Sequence, residues 1–369
     1  VRSRRQRQMC IRDRGSEKFH SAMVPQAGLD TRTWREVTEL GGQLAQLPDL
    51  PDVSSGASIA LVFDWENWWA IDGRDHPIAL DYLTLAHRWH AALHRQNLAV
   101  DIVNTTSDLS AYSLVVAPQQ YLLGDEGAAN LSAYVEQGGN LFISAFSDVV
   151  DQDDAFREGG FIVSLREVLG VALEDFGALV PPESVRSADS AGEVASHAVP
   201  DGPGQSEAPL DGPAGRIVGQ YFAEELIVQD AEVLGRFTEG RTAGRAAFTR
   251  KRAGAGNGFY LATIPDDAGM TAVLGWLASE AGVAAEIPGL PEHVEIARRG
   301  SILTVINHSA APIDVDVIGT DMLTGSTDAR RELGAFGWAF IDTSDSPPPH
   351  HSQKAVSYTH LTLPTTPYV

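Results

Sequence analysis

Over residues 30–47 the apolar positions Trp34, Val37, Leu40, Leu44 and Leu47 recur at spacings of three and four. That period predicts a helix with a single apolar stripe. Asp30 or Thr31 stands where a side-chain oxygen caps the free N–H groups of a first turn. Pro48, Pro51 and Ser54-Ser55-Gly56 end the pattern and read as a linker. Ser58 to Phe63 is then a continuous apolar run, the mark of a strand covered on both faces. Pro77 to Gln96 has helical spacing, with Ala79, Tyr82, Leu83, Ala86, Trp89 and Leu93 facing inward. Strands are predicted at Ala99–Val103, at Leu114–Ala117 and at Asn140–Ser144. Between the last two lies a helix from Gly124 to Gln137, closed by Gly138-Gly139.

This alternation of strand and helix predicts an α/β fold with a mostly parallel sheet and helices on both faces. Residues 183–214 are rich in Ser, Gly, Pro and Asp and read as an exposed loop or flexible insertion. Short strands follow at Ile217–Phe222 and Glu232–Thr238. A hairpin joins Ala246–Thr249 to Gly258–Thr263 around Gly254-Ala255-Gly256-Asn257. A last helix runs from Asp267 to Ala281, with Met270, Val273, Leu274 and Leu277 on its apolar face. From Val294 the period becomes two, as in Ile302, Thr304 and Ile306 or Ile313, Val315 and Val317. Short alternating strands of this kind predict a small antiparallel β-sandwich.

Composition narrows the function classes. A net charge of −22 argues against nucleic acid, which needs a basic stripe, and against anionic membrane surfaces. No apolar run approaches the roughly 20 residues that span a bilayer. No charged-then-apolar leader opens the sequence, and a cytoplasmic location is expected. The single cysteine, Cys10, excludes an internal disulfide and a thiolate zinc cluster. Residues 1–14 carry six arginines in an otherwise acidic protein, and residues 343–369 end in a Thr- and Pro-rich run. Both ends resemble translated adapter sequence and are set outside the fold.

Two motifs carry more information than the periodicity. The first runs from Gly15-Ser16-Glu17-Lys18-Phe19-His20 to Gly28, and the second is Phe63-Asp64-Trp65-Glu66-Asn67-Trp68-Trp69-Ala70. Together they resemble the β-galactosidases of glycoside hydrolase family 42. The resemblance implies the end of a (β/α)8 catalytic barrel at residues 15–50, and a trimerisation domain at 55–286. That second domain would be flavodoxin-like, akin to class I glutamine amidotransferases. A C-terminal β domain would follow at 290–342. It implies hydrolysis of terminal non-reducing β-D-galactose residues by a retaining mechanism, a homotrimer, and no cofactor. Glu17 and His20 would then bind the galactose hydroxyls as acceptor and donor. Retaining hydrolysis needs two carboxyl groups about 5 Å apart. The resemblance puts both on earlier barrel strands, so no catalytic residue is assigned and the chain alone is expected to be inactive. The alternatives are a non-catalytic sugar-binding or oligomerisation module, or a related glycosidase such as an α-L-arabinopyranosidase.

Other constellations have plainer roles. Asp64 and Glu66 follow a strand, where ligands of open α/β sheets collect. The tryptophans crowding the same loop favour an interface or structural role over an acid pair. The amidotransferase comparison points to Ser144-Ala145-Phe146-Ser147, which lacks both a cysteine and the G-x-S-x-G elbow. His87, His90 and His94 have metal-ligand spacing on a helix but no evident further ligand, so no metal is assigned. The glycines at 254, 256 and 258 precede a strand and lack a lysine, so a turn is expected rather than a phosphate loop. Asp151, Asp153 and Asp154 read as a solvated loop.

Overall fold

The computed structural model describes residues 23–25, 27–47, 55–73, 76–78, 80–179, 206–291 and 293–344. They fall into two compact units, Ser55–Ala297 and one that groups the residues before Ser55 with those from Arg298 onward. In the latter the predicted helix is present as α1 (Arg32–Leu44). Thr31 rather than Asp30 caps it, accepting from the Trp34 N–H at 3.3 Å.

The larger unit opens with β1 (Ile59–Val62), buried along its length. The sequence reading then gave a loop, but α2 (Trp65–Ile71) forms instead, because the Asp64 carboxylate accepts the Glu66 N–H at its first turn. After α2 come α3 (Tyr82–His94), β2 (Val100–Val103), β3 (Leu114–Ala117), α4 (Asp125–Glu136) and β4 (Asn140–Ser144). Each lies inside its predicted span. The chain continues through the one-turn α5 (Arg166–Leu169), then β5 (Val171–Ala178), β6 (Ala208–Gly212) and β7 (Gly215–Val228). It ends with β8 (Glu232–Phe237), β9 (Ala246–Ala253), β10 (Gly256–Leu261), β11 (Thr263–Pro265) and α6 (Asp267–Glu280).

One eleven-stranded sheet organises this unit, in the order β11-β7-β6-β8-β9-β10-β4-β3-β1-β2, with β5 also paired to β7. The expected parallel sheet is there as five strands: β10, β4, β3, β1 and β2 pair in parallel. From β9 onward every pairing is antiparallel, so the whole is mixed. Part of the stretch expected as a loop, residues 208–212, is β6, and residues 180–205 lie outside the described ones. The strand expected at 217–222 runs on to Val228. Its alternation breaks at Tyr221, where φ is +65° and the pairing with β11 skips register.

The hairpin turn needs its glycines for a packing reason. A Cβ at Gly254 or Gly256 would collide with backbone atoms at the C-terminal end of α4. Gly254 also sits at φ +58°, which suits glycine. Trp89, Phe142, Phe248, Phe259 and Tyr260 are fully buried and centre the core on the sheet.

The C-terminal strands are β12 (Val294–Arg299), β13 (Ile302–Asn307), β14 (Ile313–Asp316), β15 (Thr320–Asp321), β16 (Arg330–Leu333) and β17 (Trp338–Asp342). They form a four-stranded sheet, β12-β13-β17-β15, and a two-stranded antiparallel ribbon, β14-β16. Buried Asn307 bridges the β13–β14 turn, donating from Nδ2 to the carbonyls of Ala311 and Gly334, each at 2.8 Å.

Candidate functional site

The C-terminal ends of parallel strands are where ligands of open α/β sheets bind. Here that rim is built from the segments after β1, β3 and β4, and its polar groups are turned inward. After β1, Asp64 caps α2, and its other carboxylate oxygen accepts from Thr105 Oγ1 at 3.3 Å. Glu66 is exposed. Asp64 is thereby committed to holding backbone, and the two do not form an acid pair. Asn67, which sequence reasoning did not single out, is fully buried. Its Nδ2 donates to Gln119 O and its Oδ1 accepts the Leu122 N–H, both at 2.9 Å. One side chain thus ties α2 to the segment after β3. The signal was present in the sequence only as an amide among aromatics.

The segment after β3 is equally fixed. Gln119 has φ +47° and no exposure. Its Oε1 accepts the Trp89 Nε1–H at 2.9 Å, and its Nε2 donates to Ser144 Oγ. The Gln120 N–H donates to Ser147 Oγ at 2.9 Å, and its Nε2 donates to the Tyr82 hydroxyl at 3.2 Å. Ser147 Oγ in turn donates to Ser144 O at 2.7 Å. Both serines are buried and used as structural links, so neither is poised as a nucleophile. At the place an elbow would present one, Phe146 has φ +65°. It offers a ring stacked between Phe222 (4.8 Å) and Tyr121 (5.0 Å). Backbone strain of this kind clusters at active sites in many enzymes. Here it orients an inert ring.

Two buried carboxylates hold the loop after β4, and neither had a sequence signal. Glu224, on β7, accepts the Phe146 N–H at 3.0 Å and the Tyr260 hydroxyl at 2.6 Å. Burial pushes its pKa up to about 7, against the lowering effect of those two hydrogen bonds. Asp148 accepts from the Ser164 hydroxyl and N–H at 2.5 and 2.8 Å and from the Leu165 N–H at 3.1 Å. Burial raises its pKa too, opposed by those bonds and by Arg157. Asp151 accepts the N–H groups of Asp153 and Ala155, which lowers its own pKa.

Glu17 and His20 lie outside the described residues. On α3, the rings of His90 and His94 stack with centroids 6.0 Å apart, while His87 is exposed. Burial and the two neighbouring histidines lower the His90 pKa. Among the described residues no group of three His, Cys, Asp or Glu side chains is arranged to hold a metal ion. No helix among them is long and apolar enough to cross a membrane.

Comparison with known proteins places this geometry. Residues 57–284 match the family described as the β-galactosidase trimerisation domain. A β-galactosidase of Arthrobacter sp. is 34% identical over 317 residues, covering 84% of this chain and 42% of the relative. That of Geobacillus kaustophilus is 32% identical over 330 residues, covering 86% and 45% respectively. The crystal structure of β-galactosidase from Bacillus circulans sp. alkalophilus superposes with a TM-score of 0.77 at 30% identity. That superposition covers 89% of this chain and 48% of that one. The chain therefore spans under half the length of the relatives it matches. It belongs to the β-galactosidase trimerisation-domain family of glycoside hydrolase family 42.

Proposed function

We propose that this chain is the C-terminal portion of a retaining β-galactosidase, and that its work is assembly rather than chemistry. The observation that carries the reading is the family match across residues 57–284, in a chain aligned with β-galactosidases over most of its length. In this reading residues 15–50 close a catalytic barrel and 55–286 hold three copies together as a homotrimer, with 290–342 a β appendage. The parent enzyme acts on terminal β-D-galactosyl residues in the cytoplasm, and Glu17 and His20 contact the galactose hydroxyls. The parallel strands run in the order β2-β1-β3-β4-β10, which supports a flavodoxin-like, amidotransferase-like sheet. A rim on which Ser144, Ser147, Asn67, Gln119 and Glu224 are spent on internal hydrogen bonds supports a domain without its own active site.

The test is to recover the reading frame that precedes these residues and express the joined protein. Two barrel-strand glutamates and turnover of a chromogenic β-galactoside are expected. The 369-residue chain alone should give background rates. Absence of those glutamates, or turnover by this chain alone, would overturn the reading.

A further inference from the structure

Two aromatic pairs stand at the rim; Trp65, Trp69 and Phe156 are exposed, and Phe161 is half-buried against the core. Trp65 and Trp69 are four residues apart on α2, hence on one helix face, and are 59% and 66% exposed. They are presented by a fixed support: Phe63 meets Trp65 edge-on at 5.5 Å, and Asp64 and Asn67 pin the helix beneath. The second pair follows β4. Phe156 is 69% exposed and stacks on Phe161 at 5.7 Å. Its neighbour Arg157 anchors that segment, donating to Asp125 Oδ1 at 2.7 Å and to Leu123 O at 2.6 Å. The two pairs are separated along the rim, since β3 lies between β1 and β4. Large rings held rigidly in water mark contact surfaces, because each carries roughly 150–250 Å² that gains by burial.

We propose that these pairs are the two unlike halves of one contact between copies of this chain. Trp65 and Trp69 of one copy seat against Phe156 and Phe161 of the next, and three copies close the ring. The inference rests on the homotrimer reading above and adds to it the residues and the polarity of the contact. A second copy is the occupant because both pairs lie inside residues 57–284, the span that matches a trimerisation family. Unlike halves are required because a self-complementary patch closes at two copies, whereas a head-to-tail contact closes a three-fold ring. Charge points the same way. A chain of net charge −22 repels its copies, so association needs apolar anchors and strengthens as salt screens the repulsion. The rings supply the anchors within an interface of about 800 Å² per partner.

Sedimentation equilibrium of the full chain tests this with two variants, Trp69→Ser and Phe156→Ser. Both side chains are mostly exposed, so circular dichroism and the thermal midpoint should match the parent. The unaltered chain should sediment at three times 39.5 kDa, more tightly at higher salt. Each variant alone should associate at least tenfold more weakly. An equimolar mixture at high concentration should form dimers that grow no further, since each variant retains the half the other lacks. A variant that stays trimeric, or a mixture that behaves as the sum of its parts, overturns the pairing. A monomeric unaltered chain removes the trimer reading itself, and that outcome is visible before any variant is made.

Discussion

In the parallel half of the sheet, β1, β3 and β4 are buried along nearly their whole length. In the antiparallel half, β5 and β8 are buried only in part, and ion pairs decorate their open faces. Arg241 reaches Asp175 at 3.1 Å, Arg245 reaches Glu225 at 3.1 Å, and Arg250 reaches Glu232 at 2.7 Å. The difference teaches where stability resides. Desolvated side chains on strands covered on both faces contribute far more than half-exposed charge pairs. Glu224 sits at the seam, on β7 but bonded to the segment after β4 and to β10. The two halves are thus joined by the β9–β10 pairing and also by this buried carboxylate.

The largest effect is expected from Trp89→Ala. Trp89 is fully buried in the parallel half and satisfies Gln119. Its loss should cost about 3–5 kcal/mol in urea unfolding, with the cavity and the orphaned amide adding together. A change below about 1 kcal/mol would mean the parallel half is not where stability lies.

Glu224 tests the seam by pH. Its folded pKa of about 7 is raised above the ordinary glutamate value. The stability it contributes is thus complete below the unfolded pKa and is lost as pH rises through 7. Between those limits the loss is on the order of 3 kcal/mol. Glu224→Gln should flatten that part of the stability profile. A variant whose profile keeps the parent's slope would remove Glu224 as the cause. The smallest effect belongs to the antiparallel half. Arg250→Met, which removes contacts to both Glu232 and Glu280, should change stability by less than about 1 kcal/mol, and the change should shrink in high salt.

The same contrast explains what could be read from the sequence. Ile59–Val62 and Leu141–Ser144 were legible because burial on both faces leaves an uninterrupted apolar run. The hairpin strands β8, β9 and β10 were legible too, whereas β6 and the far end of β7 hid for local reasons. Pro209, Asp211 and Gly212 make β6 look like a turn, and the break at Tyr221 interrupts the alternation that would have extended β7. α2 was missed because its tryptophans suggested a loop, although an aspartate just before them, Asp64, is also a helix-capping signal. The rim network was invisible for a different reason. Nothing in a linear sequence separates a glutamate such as Glu224 that will be buried in a strand from one that will be solvated. Of the residues read as galactose contacts, Glu17 and His20, the described structure contains neither.

The role proposed for this chain is assembly. Sedimentation equilibrium of the unaltered chain at neutral pH tests it most directly. A mass of three times 39.5 kDa is predicted; 39.5 kDa at every concentration and salt would contradict it.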